Sequence, residues 1–174
     1  MGRSEADKCI TRVLPYMKGC GIDIGFGGYK IDHTDIIYYD RYDFGFNDVG
    51  DAEQLPYENE QFDFVFSSHC LEHLDSTIDV LKEWFRILKK EGTMILYLPM
   101  EGVYADYRRH GEHKLNLNPD KIKKFMEEAG IKYTIIKEEV YNSVPEGYVF
   151  TCNGETEKSE NFEYSFEMVI KKDE

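Results

Sequence analysis

The sequence predicts an α/β fold: an open, mostly parallel sheet between two layers of helices, with an antiparallel strand at its C-terminal end. Three observations point there. Short β-branched or aromatic runs alternate with stretches whose apolar residues recur at three and four. One run, Thr93 to Leu98, is continuously apolar, as a strand covered on both faces requires. At the end of the chain Phe162, Tyr164, Phe166, Met168 and Ile170 alternate strictly.

Each element has its own signals. Ser4 to Leu14 reads as a helix, with Ser4 and Asp7 as a capping box, Ala6, Ile10, Val13 and Leu14 on one face, and Pro15 as the stop. Cys20 to Ile24 is a short buried strand running into glycines. Asp35 to Tyr39 is a second strand and Phe62 to Ser67 a third. Thr77 to Lys90 is the clearest helix, with Ile78, Leu81, Trp84, Phe85 and Leu88 on one stripe and Gly92 as its end. Pro99 closes the strand Thr93 to Leu98. Asn118 and Pro119 open a helix that carries Ile122, Phe125, Met126 and Ala129 and stops at Gly130. Ile131 to Tyr141 is a further strand, and the alternating last strand is expected to keep one wetter face. No repeat or Pro/Gly/Ser-rich linker divides the chain. The expectation is one domain over 1–174, with an N-terminal helix in 1–18, a core in 19–130 and closing strands in 131–174.

Composition narrows the function classes. A chain of 174 residues buries roughly 70% of its unfolded surface on folding, enough for a core without staples. With 41% hydrophobic and 32% charged residues it fits a globular protein. The net charge of −13 repels polyanions, which disfavours nucleic acid and anionic membrane surfaces as partners. No apolar run approaches the roughly 18 residues of a membrane span. The first residues carry no apolar segment of a signal peptide, and Ala6 stands where a myristoylation site wants Ser or Thr. Cys9, Cys20, Cys70 and Cys152 form no CxxC pair. Reduced thiols in a cytoplasm are the expectation.

Open α/β sheets bind ligands outside the carboxyl ends of their strands, where the strand order reverses. The residues there form a series. After the first strand comes Asp23-Ile24-Gly25-Phe26-Gly27-Gly28, whose glycines allow a tight turn and close approach to a ligand. A nicotinamide-dinucleotide fingerprint would need glycine at position 30, where Lys30 stands, and the short stretch to Thr34 leaves room for a turn or two of helix at most. Asp40 ends the second strand, where a carboxylate can accept from both hydroxyls of a ribose. Asp51 beside Ala52, ahead of the third strand, offers an acceptor and a free N–H of the kind an adenine edge needs. Taken singly, a glycine turn or an aspartate after a strand is ordinary turn chemistry. The order and placement of all of them is not.

In these residues together the chain resembles the class I S-adenosylmethionine-dependent methyltransferases. The resemblance rests on Ile22 to Gly27, Asp40, Gly50 to Pro56, Phe62 to Val65, Ser68 to Leu74 and Leu81 to Gly92, and it extends to His113 ahead of the helix from Pro119. It covers roughly Gly19 to Gly130. It implies a Rossmann-like fold and S-adenosylmethionine as cofactor. It further implies that Asp23, Gly25 and Gly27 line the methionine moiety, Asp40 the ribose, Asp51 and Ala52 the adenine, with Ser67 or Ser68 near the methionine amino group. The short first crossover departs from the family pattern. Similar trimming in methyltransferases associated with surface glycans turns the acceptor guess toward a sugar or glycan-precursor hydroxyl.

The histidines and the loop after Pro99 complete the reading. His33 is expected to be solvated and His73 structural. His113 is the first candidate for a general base, since an ordinary imidazole suits proton removal near neutrality, and His69 is the second. Tyr104, Arg108, Arg109 and His110 form a candidate substrate loop; a solvated loop balanced by Asp106 and Glu112 is the plain alternative. No HxH or HExxH spacing marks a metal centre. The expected function is methyl transfer to a small-molecule acceptor, at a site that is either open or closed by a second copy. The rival is a protein that keeps the fold and the cofactor site without turnover.

Overall fold

The computed structural model describes residues 5–33, 35–101, 113–143 and 163–174. Its elements in chain order are α1 (Glu5–Val13), a 3-10 turn (Leu14–Tyr16), β1 (Gly21–Ile24), β2 (Ile36–Asp40), β3 (Asp48–Val49) and β4 (Phe62–Ser68). A second 3-10 turn (Leu71–His73), α2 (Thr77–Ile87), β5 (Leu88–Pro99), α3 (Pro119–Glu128), β6 (Tyr133–Val140) and β7 (Ser165–Lys172) follow. The strands form one sheet in the order β3-β2-β1-β4-β5-β7-β6. β1 to β5 pair in parallel, and β7 runs antiparallel between β5 and β6. The order reverses between β1 and β4, so the carboxyl ends of those two strands flank the cleft that such a sheet offers a ligand.

Two apolar clusters cover the sheet. On one face Ile22, Val65, Leu96 and Phe166 pack against Leu81, Trp84 and Phe85 of α2 and Ile122 and Met126 of α3. On the other, Ala6, Cys9 and Val13 of α1 pack on Phe64, Phe66, Ile95, Tyr97 and Val169. Strands with apolar residues on both faces thus sit between two helical layers. Among the described residues no helix joins β1 to β2. Phe26 fills that space instead, with its ring 5.0 Å from those of Tyr38 and Phe44. The Tyr38 hydroxyl accepts from the Ile31 amide and donates to the Ile31 carbonyl, both at 2.9 Å.

Several expectations need correction. Pro15 does not end the first helix abruptly; it enters a 3-10 turn whose missing N–H costs nothing, and Leu14 is exposed rather than on the buried face. The proposed cap Ser4 lies outside the described residues, as do Phe162 and Cys152. α2 ends at Ile87, and Lys89 to Gly92 belong to the β5 segment. The register there slips between Phe62 opposite Leu88 and Phe64 opposite Thr93, and Glu91 takes a φ of 61°. The last strand has no wetter face. β7 is internal, and its Glu167 is buried because Arg12 from α1 and Lys137 from β6 pair with it. The edge strand β6 carries the alternation instead. His33 is not solvated: Nε2 lies 3.0 Å from the Met17 carbonyl, and Nδ1 accepts from the Asp35 amide. Among the described residues no helix is long and apolar enough to cross a membrane.

Candidate functional site

The carboxyl ends of β1, β2 and β4 open onto a cavity of about 820 Å³, within the usual range of small-ligand sites. Its wall includes Gly25, Gly27, Asp40, Asp51 and Ala52 on the glycine and ribose side of the motif series, and His69, Cys70 and His73 after β4. Gly25 leaves β1 with φ 75°, and its amide donates to the Tyr39 carbonyl at 2.8 Å. A Cβ there would stand 2.5 Å from Cys70 Sγ. Gly27, at φ 60°, donates its amide to Asp40 Oδ2 at 3.2 Å, and the space beside it is open. The other Asp40 oxygen accepts from the Tyr42 amide at 2.9 Å. The carboxylate is thereby held, only 8% exposed, at the end of β2.

The adenine candidates are held from behind. The Ala52 carbonyl accepts from Trp84 Nε1 at 2.9 Å, and Asp51 Oδ1 accepts from the Glu53 amide. Asp23 is buried on β1, with no donor among the described residues to its Oδ1. Burial, reinforced by the Asp40 charge, pushes its carboxyl well above the usual range. The two serines divide. Ser67 is fully buried and donates to the Ile24 carbonyl at 2.9 Å, so it pins β4 to β1, whereas Ser68 Oγ is buried without a partner among the described residues. Asp23, Ser67 and Ser68 do not stand on the cavity wall. The open glycine cradle beside Asp40 fits a ligand that carries a ribose.

The histidines gather around Glu72. That residue lies in the middle of the 3-10 turn and is completely buried, and among the described residues no donor reaches either carboxylate oxygen. Burial pushes its carboxyl up to about 8. His69 Nδ1, His73 Nε2 and His113 Nε2 stand 3.6, 3.7 and 3.8 Å from Glu72 Oε1. His113 is brought there because the Lys114 and Leu115 amides both donate to the Glu72 carbonyl, at 2.8 and 3.3 Å. The His73 and His113 rings pack edge to face at 4.6 Å. His69 has φ 49°, and its Nε2 lies 3.0 Å from Ser165 Oγ. Its burial, with Lys8 and the other two histidines nearby, keeps its imidazole well below the usual range and so neutral. The structure therefore gathers His69, His73 and His113, which the sequence left separate.

Sequence reasoning missed Tyr42, Phe44 and Glu72. The first two line the cavity just past Asp40, and the aromatic run Tyr42-Asp43-Phe44-Gly45-Phe46 after a strand end was the available signal. Glu72 was signalled only by a charge between Leu71 and Leu74. Tyr104, Arg108, Arg109 and His110 lie outside the described residues.

A family model described as a methyltransferase domain matches residues 37–96. Ajmaline N-methyltransferase of Rauvolfia serpentina is 41% identical over 49 residues, 28% of this chain and 17% of that protein. The ubiquinone/menaquinone biosynthesis C-methyltransferase of Neisseria meningitidis is 34% identical over 65 residues, 34% of this chain and 26% of that protein. The chain thus spans only a small part of these curated relatives. A SAM-dependent methyltransferase from Archaeoglobus fulgidus superposes with a TM-score of 0.67 at 22% identity, covering 96% of this chain and 92% of that one. The (4+2)-cyclase SpnF superposes at 0.68 with 15% identity, covering 99% and 84%. Residues 37–96 thus match the methyltransferase-domain model, and the chain shares the fold of the solved methyltransferases it superposes on.

Proposed function

We propose that the chain transfers the methyl group of S-adenosylmethionine to a hydroxyl of a small molecule, with a sugar or glycan precursor as the acceptor class. The observation that carries this reading is that one cavity joins the Gly25–Gly27–Asp40 cradle to the imidazoles of His69 and His73. When bound, S-adenosylmethionine supplies an electrophilic methyl on a sulfonium. Asp40 would accept from the ribose hydroxyls, Asp51 and the Ala52 amide would meet the adenine edge, and the methionine end would reach toward Asp23 and Ser68, which do not stand on the cavity wall. As the methyl group passed to the acceptor oxygen, the hydroxyl proton would go to the imidazole cluster, where the candidate bases His113 and His69 stand. Holding oxygen and methyl in line accounts for most of the acceleration, roughly 7–11 kcal/mol in well-oriented systems. The matched relatives are named for transfer to nitrogen and to carbon, so the choice of oxygen rests on the proton-accepting cluster and the trimmed crossover.

The test is a turnover assay that follows S-adenosylhomocysteine release with a panel of sugar and other hydroxyl acceptors, set beside amines and thiols. Product with hydroxyls alone supports the reading. Product with amines alone replaces the acceptor class. Saturable cofactor binding with no product across the panel favours the rival, a binding protein that retains the fold.

A further inference from the structure

Among the described residues, Glu72, His73 and His113 bring one ligand atom each within 4.8 Å of one another. The distances from Glu72 Oε1 to the two imidazole nitrogens, 3.7 and 3.8 Å, are too long for hydrogen bonds. They sit close to the separation of about 3.4 Å between neighbouring ligands around a tetrahedral ion with bonds of about 2.0–2.1 Å. A second, independent observation concerns the carboxylate itself. It is wholly buried, and no donor among the described residues reaches either oxygen, an arrangement that a bound cation relieves directly. The backbone also fixes the three groups. Glu72 and His73 are consecutive in one 3-10 turn, and the amides of Lys114 and Leu115 lock the segment after His113 onto the Glu72 carbonyl.

We propose that Glu72, His73 and His113 bind one divalent transition-metal ion, of the zinc, cobalt or manganese class, and that its remaining position takes the acceptor oxygen. Two imidazoles with one carboxylate suit such ions, whereas magnesium and calcium favour all-oxygen sites. Three protein ligands leave a position free, as catalytic metal sites do. His73 stands on the wall of the cavity, so the ion borders the space in which the acceptor binds. There it holds the acceptor oxygen and makes its hydroxyl more acidic. This role rests on the proposed methyl transfer, with His69 left as the base once His113 holds the ion; the existence of the site does not.

The experiment uses the untagged full chain, stripped with chelator and titrated with Co2+. One equivalent is expected, giving visible d–d absorption that Zn2+ abolishes, together with a higher melting temperature. Glu72→Gln and His113→Ala should each lower Co2+ affinity more than about 100-fold, beyond the roughly 10–100-fold that loss of a mere outer partner of a ligand costs. Cys20→Ser, at an exposed thiol away from the cluster, should bind normally. If Glu72→Gln does not fold, His73→Ala with an unchanged far-ultraviolet spectrum takes its place. No uptake by the native chain, uptake that survives in the folded variants, or a thiolate charge-transfer band removed by Cys70→Ser each overturns the proposal. Calorimetry with S-adenosylmethionine on the stripped chain separates the two readings. Cofactor binding without Co2+ uptake overturns the metal site alone; Co2+ uptake without cofactor binding sustains it and overturns the methyl-transfer reading.

Discussion

Asp40 and Asp23 are near neighbours with opposite requirements. Asp40 has two backbone amides directed at it, which hold its side chain in place to accept from a ligand. Hydrogen bonds to a charged group are worth roughly 1.5–3 kcal/mol, so Asp40→Ala should weaken S-adenosylmethionine binding roughly 10- to 150-fold by calorimetry. Unchanged affinity in a folded variant would reject Asp40 as the proposed ribose ligand. Asp23 has its carboxyl raised by burial and by the Asp40 charge. The unfolded chain releases this proton in the ordinary carboxylate range, while the folded chain holds it to higher pH. Folding therefore takes up a proton in that window, and the contribution, complete at acid pH, is lost as pH rises toward the folded value. Asp23→Asn cannot ionise. Its melting temperature relative to the native chain should climb between pH 4 and 7, read by calorimetric scans; a constant difference across that range would show that Asp23 does not titrate as its burial implies.

At the scale of elements, caps and neighbours decide what periodicity leaves open. The start of α3 was legible because Asn118 and Pro119 are a cap and a first helical residue, and Asn118 Oδ1 does accept from the Lys121 amide at 2.8 Å. Asn118→Ala should lower unfolding stability by about 1 kcal/mol, seen as a lower urea midpoint with an unchanged slope. A midpoint that does not move would mean the cap is replaced by water. The end of α2 was not legible. The apolar stripe runs through Leu88, which belongs equally well to a helix face and to a strand opposite Phe62. Pairing with β4 favours the strand. Likewise β7 looked one-sided because Glu167 interrupts its apolar residues; the approach of Arg12 and Lys137, with the Tyr141 hydroxyl, makes burial of that carboxylate tolerable.

For the whole molecule, ligand binding and stability are one quantity. A cofactor that binds only the folded chain adds about 2.7 kcal/mol at a hundred times its dissociation constant. For a chain of this size that is a rise of about 5–10 °C in melting temperature. S-adenosylmethionine at that excess should produce the shift and NAD should not, since Lys30 breaks the dinucleotide fingerprint. A shift with NAD alone would reverse the assignment. The cleft itself follows from topology: the strand order reverses between β1 and β4, and Gly25, Gly27, Asp40 and His69 stand at or just beyond the carboxyl ends of β1, β2 and β4.

The sequence by itself determined the alternation of strands and helices, the glycine turn after Ile24, the placement of Asp40 and the antiparallel sense of β7. Each of these is local, because it depends on period, turn chemistry or a residue directly after a strand. Tertiary structure alone decided that Ser67 pins two strands, that Phe26 and Tyr38 cover the face left by the trimmed crossover, and that His69, His73 and His113 surround Glu72. His113 reaches Glu72 across a long sequence separation through two backbone hydrogen bonds to the Glu72 carbonyl, and no residue spacing encodes that approach. Burial of Glu72 is a property of the packed layers. Only when the 3-10 turn is enclosed does an ordinary Leu-Glu-His-Leu become a carboxylate with no donor among the described residues, beside three imidazoles.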